Sequence, residues 1–154
     1  MKHILTAFLL LFVTSFAFSQ RVDAIGQHKV KPGEQVTLTT GATIDNQSTK
    51  KGQDVKYGYT QVTDIETGDT KDIGEITVND AATATITDVT SNEIININNS
   101  KAVVKVVGTG TTISLGNGHF NLDVENTGKE NITVLLPRGG TLTVQPGSHI
   151  TLVQ

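Results

Sequence analysis

The segment Val55-Lys56-Tyr57-Gly58-Tyr59-Thr60-Gln61-Val62 decides the fold class, because its large residues alternate with small or polar ones. Alternation with a period of two is typical of a β-strand with one buried face. The pair Thr67-Gly68 follows as a turn signal, and the segment Thr70–Val78 then repeats the alternation. Residues 55–78 therefore predict a β-hairpin.

Similar alternation continues on both sides of this hairpin. Thr, Val and Ile are frequent, and these β-branched residues suit a pleated, half-buried surface. After Gln20 the apolar residues show no helical spacing, so the pattern predicts an all-β protein, an antiparallel sandwich or barrel of roughly ten short strands. The other predicted strands are Val36–Thr40, Thr83–Thr87, Ile94–Asn98, Ala102–Val107, Thr111–Leu115, His119–Glu125, Asn131–Leu136, Gly140–Val144 and His149–Val153.

Two internal similarities accompany the strands. The segments Val30–Leu38 and Val144–Leu152 both read Val-x-Pro-Gly-x-x-(Val/Ile)-Thr-Leu, which predicts a tight Pro-Gly turn followed by a strand. The segments Ile95–Asn99 and Leu122–Asn126 each lead through a polar turn into an apolar strand. Thr-rich rows such as Thr83–Thr87 raise the alternative of an ice-binding solenoid, but they follow no fixed repeat, so a solenoid is not expected.

The C-terminal part of the chain resembles a known class of module. The segment Val124-Glu125-Asn126-Thr127-Gly128, followed by Ile132–Pro137 and Thr141–Leu152, is similar to the Val-x-Asn-Thr-Gly hairpin of bacterial immunoglobulin-like sandwich modules. The resemblance covers residues 119–153. It implies an antiparallel immunoglobulin-like sandwich, in which the strand after Asn-Thr-Gly pairs with the preceding strand and a Pro-Gly turn introduces the last one.

The first residues indicate export. Lys2 and His3 form a basic lead, an apolar run covers Ile4–Val13, and small residues at Ala17 and Ser19 suit cleavage before Gln20. The apolar run is too short to span a membrane, which needs about 20 residues. The sequence predicts a signal peptide over residues 1–19 and a single domain over 20–154. The junction resembles those of bacterial exported proteins, so we expect a secreted or cell-surface location, with the periplasm as the alternative.

Composition limits the partners of the chain. The net charge is −3 and the Lys and Arg residues are scattered, which disfavours nucleic-acid binding. Cys is absent, so the domain relies on sheet hydrogen bonding, apolar packing or association with other copies rather than on disulfides.

Two tyrosines are the candidate ligand-binding residues. Tyr57 and Tyr59 are two positions apart, so a strand places both rings on one face. Aromatic rings in a row on an exposed sheet stack on sugar rings, which favours a carbohydrate or another small ligand. Packing of the two rings in the core is the competing interpretation.

Carboxylates cluster around the turn at Gly68. Asp64, Glu66, Asp69 and Asp72 are the candidate metal ligands, because calcium prefers several oxygen atoms on a flexible loop. The spacing departs from that of a helix–loop–helix calcium loop. A solvated hairpin with outward carboxylates is the competing interpretation. No cofactor other than calcium is expected.

The sequence contains no recognisable catalytic motif, so we expect a protein that is not an enzyme. The leading hypothesis is a structural or interaction protein of the cell surface or extracellular matrix, which associates with its own copies or another surface protein. Strand addition into a filament is one form of this association. The segment Gln20–Lys29 is a donated strand or a linker in this hypothesis. The alternative is a carbohydrate- or small-ligand-binding module, with calcium as its candidate ion.

Overall fold

The computed structural model describes residues 20–22, 27–38, 41–52, 54–90, 92–108 and 110–154. The expected signal peptide lies outside these residues. Within them the chain forms fourteen strands in two seven-stranded sheets around one apolar core. The strands are β1 (Gln20–Val22), β2 (His28–Val30), β3 (Gln35–Leu38), β4 (Thr43–Asn46), β5 (Val55–Thr63), β6 (Thr70–Val78), β7 (Thr83–Val89), β8 (Ile94–Ile97), β9 (Lys101–Val106), β10 (Thr112–Leu115), β11 (Asn121–Asn126), β12 (Ile132–Leu135), β13 (Thr141–Val144) and β14 (His149–Val153).

The middle of the chain winds as a β-solenoid. The first sheet has the order β1-β3-β4-β7-β9-β11-β14, and the second has the order β13-β12-β10-β8-β6-β5-β2. From β6 to β12, successive strands alternate between the two sheets, and neighbours within each sheet are parallel. Each turn of the chain therefore stacks on the previous one, as in solenoid proteins.

The stacked coils keep equivalent residues in register although the coils differ in length. Paired residues in neighbouring coils are 17 to 21 positions apart, as Val89 with Val106 and Thr112 with Thr133 show. The corners absorb this difference in length. The absence of a fixed sequence repeat therefore does not exclude a solenoid, contrary to the expectation from the Thr rows.

Inward side chains of both sheets form the core. The strands alternate buried and more exposed residues, as the sequence predicts, because successive side chains point to opposite faces of a sheet. Aligned columns of Ile, Val, Leu and Ala result, and these residues are fully buried. One column of the second sheet consists of Ile76, Ile95, Ile113 and Val134.

The prediction of an antiparallel immunoglobulin-like sandwich is wrong. Most predicted strands are present, but the central pairs are parallel and belong to stacked coils. In the region that carries the resemblance, β11 and β12 lie in different sheets, and β12 pairs with β10 and β13. The physical reason is that alternation identifies the buried face of a strand, whereas it contains no information on the direction of the neighbouring strand.

Antiparallel strands form both ends of the solenoid. The predicted hairpin is confirmed, with β5 and β6 paired from Val55–Val78 to Thr63–Thr70. At the same end β2 pairs with β5, and at the other end β13 and β14 pair with β12 and β11. The segment Gln20–Lys29 supplies β1 and the first residues of β2, which both pair with strands of the same chain.

Glycines allow the corners of successive coils to touch. The amide of Gly108, after β9, donates a 2.7 Å hydrogen bond to the carbonyl oxygen of Val89 in the previous coil. A β-carbon at Gly108 would lie 2.3 Å from the carbonyl carbon of Thr90, and one at Gly128 would lie 2.5 Å from the carbonyl oxygen of Gly108. The backbones are therefore in direct contact, and a larger residue at either glycine forces the coils apart.

We expect Gly108→Ala to lower the free energy of unfolding by about 3 kcal/mol, because the new methyl group overlaps backbone atoms that cannot move independently of their coil. Denaturant unfolding of the purified protein measures this loss. Gly52→Ala is the matched control, since its β-carbon would lie 3.7 Å from the nearest atom, the Cα of Lys31. Equal losses for the two variants would contradict backbone contact between the coils.

The repeated Val-x-Pro-Gly sequence is a repeated corner between the sheets. One copy connects β2 to β3 and the other connects β13 to β14. In both corners the glycine amide donates to the carbonyl oxygen of a buried asparagine on the adjacent strand, from Gly33 to Asn46 and from Gly147 to Asn126. The similarity in sequence therefore reflects an equivalent position at the two ends of the solenoid.

The two asparagines differ in their side-chain hydrogen bonds. The Nδ2 atom of Asn126 donates to the carbonyl oxygens of Glu130 and Val144, at 2.8 and 2.9 Å, and its Oδ1 accepts the amide of Gly128 at 3.0 Å. The Oδ1 of Asn46 accepts the amide of Ser48 at 2.9 Å, but its buried Nδ2 has no partner among the described residues. Asn126 therefore stabilises its corner more than Asn46 does.

Asn126→Ala should lower the free energy of unfolding by about 3 kcal/mol, because three hydrogen bonds of about 1 kcal/mol each are lost. Asn46→Ala should cost about 1 kcal/mol, since one bond is lost and an unpaired amide is removed. Thermal and denaturant unfolding of both variants measures the difference. A larger loss for Asn46→Ala would show that the two corners do not differ in this way.

Candidate functional site

The C-terminal end of the solenoid has two free strand edges. β13 and β14 are the outermost strands of their sheets at this end, and no described strand pairs with their outer edges. Apolar residues of the same two strands, Leu142, Ile150 and Leu152, are only partly buried, and Val153 is 70% exposed. We call β13, β14 and the corner between them the open end.

The backbone of the open end presents hydrogen-bonding groups outward. Phe120 and Gln154 exchange hydrogen bonds through their backbones, at 3.3 and 3.0 Å. Because hydrogen-bonded and non-hydrogen-bonded pairs alternate along antiparallel strands, Thr151, opposite Asp123, directs its N–H and C=O away from β11. In β13, the Leu136 amide donates a hydrogen bond to the carbonyl oxygen of Gly140. Counting alternate pairs from this bond, Thr143 also directs its N–H and C=O outward, away from β12. These groups are available to an added strand.

The open end lacks the charges that usually protect edge strands. The sequences Thr141–Val144 and His149–Val153 contain neither Lys nor Pro, and His149 is the single ionisable residue in them. Its Nε2 contacts Oδ1 of Asp123 on β11. At the opposite end of the second sheet, Lys29 is exposed in β2. Lysine discourages strand addition, so the edge of β2 is better protected than the edges of β13 and β14.

A groove adjoins the open end. It has a volume of about 460 Å³ and lies between the turn after β12 and the last residue of the chain. Its apolar floor and single basic residue suit an apolar side chain flanked by acidic groups. The lining residues are Phe120, Leu136, Pro137, Arg138 and Gln154.

The hairpin of β5 and β6 extends beyond the body of the solenoid. β2 pairs with β5 only at Val55–Tyr57, and β8 pairs with β6 only at Glu75–Val78. Residues 59–74 therefore form a two-stranded ribbon that no other described strand pairs with, and we call this segment the arm. Ile65 at its tip is 99% exposed, and Val62 is also exposed. A two-stranded ribbon is marginally stable alone, which favours a partner for it.

The structure places the two predicted ligand-binding tyrosines in different environments. Tyr57 packs in the core at 2% exposure, whereas Tyr59 on the arm is 43% exposed. The ring of Tyr57 lies against His28, with 5.0 Å between the ring centroids. The depression beside Tyr59 has a volume of only about 60 Å³. The two rings therefore do not form a continuous exposed platform, and carbohydrate binding stays a prediction that would depend on Tyr59 alone.

The predicted metal ligands lie on the arm. The Oδ1 atom of Asp64 accepts the amides of Glu66 and Thr67, at 2.8 and 3.2 Å, so this carboxylate stabilises the turn. Asp69 lies in the same turn and Asp72 lies on β6. In the described part of the chain, no group of three or more His, Cys, Asp or Glu side chains is placed to hold a metal ion. Calcium binding stays a prediction.

The structure contains a buried carboxylate, that of Glu93, which the sequence pattern does not predict. Glu93, just before β8, is 1% exposed and faces inward at the corner after β7. Its Cγ would lie 3.2 Å from a β-carbon on Gly74, so the glycine at the base of the arm leaves room for this side chain. The only indication in the sequence is Gly74, a small residue among the larger ones of β6. It indicates a close contact at that position, but it does not identify Glu93 as the residue in contact.

Comparisons with protein-family models, curated proteins and solved structures found no match for this chain. Among the described residues, no helix is long and apolar enough to cross a membrane.

Tyr57 makes stability sensitive to alkaline pH. Burial, together with the nearby carboxylate of Glu34, raises the pKa of Tyr57 to about 12 from its ordinary value of 10.0. The folded state favours the neutral phenol, so this contribution to stability is complete below pH 10 and is lost as the pH rises through about 12.

We expect the free energy of unfolding to fall between pH 10 and 12, and Tyr57→Phe to reduce that fall. At neutral pH the same variant should be as stable as the natural protein or slightly more stable, because the buried hydroxyl has no hydrogen-bond partner among the described residues. Tyr59→Phe leaves Tyr57 as the only tyrosine, so ultraviolet absorbance then follows its ionisation directly. Ionisation near pH 10 in that variant would contradict the buried position.

Proposed function

We propose that the protein is an exported structural or interaction protein that associates by β-strand addition at its open end. The observation that carries this proposal is the pair of unprotected edges on β13 and β14, next to partly exposed core residues. An added strand forms main-chain hydrogen bonds with both the donors and the acceptors of such an edge. It also covers Ile150 and Leu152, which the fold leaves partly open to solvent.

The contrast between the two ends of the solenoid supports the same function. An unprotected edge is a liability for a protein that remains monomeric, and natural sheets block such edges with lysine, proline or short strands. This chain has an exposed lysine in β2 but none in β13 or β14, and β14 is five residues long. A binding role for the C-terminal edge accounts for this difference. In this proposal the protein acts by binding rather than by catalysis.

Proline substitutions at the free edges test the proposal. Thr151→Pro and Thr143→Pro each remove an outward N–H, so they should weaken association by about tenfold or more while preserving the pairing with β11 and β12. Thr151→Val and Thr143→Val are the matched controls, because they keep the N–H and the strand preference. Light scattering across a concentration series measures association, and melting temperatures confirm folding.

Two outcomes would contradict strand addition. One is a purified protein that remains monomeric at high concentration and forms no filaments by electron microscopy. The other is association that both proline variants leave unchanged.

A further inference from the structure

We propose that the partner of the open end is the arm, residues 59–74, of a second copy of this chain. This inference rests on the proposed function and names the strand that is added. Both outer edges of the arm are free in the described structure, at residues 59–63 of β5 and 70–74 of β6. The arm therefore offers strand edges that are already paired on their inner side, which lowers the ordering cost of strand addition.

Charge complementarity favours this pairing. The arm contains four carboxylates, those of Asp64, Glu66, Asp69 and Asp72, against the single ammonium group of Lys71. Arg138 is the one residue with a charged side chain among those that line the groove beside the open end. An acidic arm at this groove gains an attractive interaction, whereas two arms or two grooves brought together repel each other.

The apolar surfaces match as well. Ile65 lies at the tip of the arm and is fully exposed to solvent, and Val62 is exposed on one face of the arm. Phe120, Leu136 and Pro137 form an apolar floor in the groove, whose volume exceeds that of one aliphatic side chain. A strand that pairs with β13 passes beside the turn from β12 to β13, which is where the groove lies. One arm can therefore contact the edge and the groove together.

The arm cannot reach the groove of its own copy. The arm includes the first residues of β6, whereas the groove follows the end of β12, and β6 and β12 run in the same direction in one sheet. The two surfaces thus lie at opposite ends of the strands, with β8 and β10 between them. The contact is therefore between copies. Because it joins two different surfaces, it repeats from copy to copy and builds a chain of molecules.

A mixing experiment with two single variants tests this arrangement. Ile65→Asp disables the arm and leaves the groove intact, and Arg138→Glu disables the groove and leaves the arm intact. Both side chains are exposed, so neither change should affect folding. We expect each variant alone to need about tenfold higher concentration than the natural protein to assemble. An equimolar mixture should form dimers, since one functional contact remains. Ile65→Val is the matched control and should assemble normally.

The outcomes separate this inference from the proposed function. Normal assembly of Ile65→Asp or of Arg138→Glu would overturn the arm as the partner. A mixture that stays monomeric, under conditions where the natural protein assembles, would overturn it as well. If in addition the proline variants at Thr143 and Thr151 impair assembly, strand addition stands and the added strand comes from elsewhere. A natural protein that never assembles would remove both proposals.

Discussion

The hydrogen bonds between stacked coils are the interaction on which the rest of this structure depends. A single coil of two short strands cannot bury its own apolar face, and it does so only against the coils above and below. Between β6 and β12 every strand has a neighbour on each side. The core columns follow from this register, because side chains aligned by the backbone bury one another. The ends of the stack are the places where backbone groups are left without partners.

Direct contact between coils also explains which small residues the fold needs. A glycine after a strand, such as Gly108, is typical of a turn, but the physical role of Gly108 comes from Thr90 in the previous coil. Gly74 is similar, since it leaves space for Glu93. Both contacts link residues about 18 positions apart, whereas turn rules describe neighbours within four residues. Local rules therefore identify these glycines without identifying what they contact.

The sequence predicts the strands well and their arrangement poorly, for the same reason. Alternation predicts a strand from His149 to Val153, and the structure has it. It also places Tyr57 and Tyr59 on one face, but it cannot predict that only Tyr57 is covered, because coverage ends where the hairpin extends beyond the solenoid. The repeat is hidden because corners of unequal length and a register shift in β7 vary the coil length between 17 and 21 residues. The open edges follow from topology alone, so no motif in β13 or β14 indicates them.

The asymmetry of the two ends gives any assembly a direction. Lys29 discourages contacts at the edge of β2, while the arm at that same end of the second sheet stays unpaired and acidic. The opposite end has uncharged edges and a groove with Arg138. Two identical ends brought together would place like charges or unmatched surfaces against each other, so the favourable contact joins different ends. In the proposed assembly, the same hydrogen bonding that stacks coils within one chain continues from one molecule to the next, and the solenoid serves both as the rigid body and as the surface that is extended.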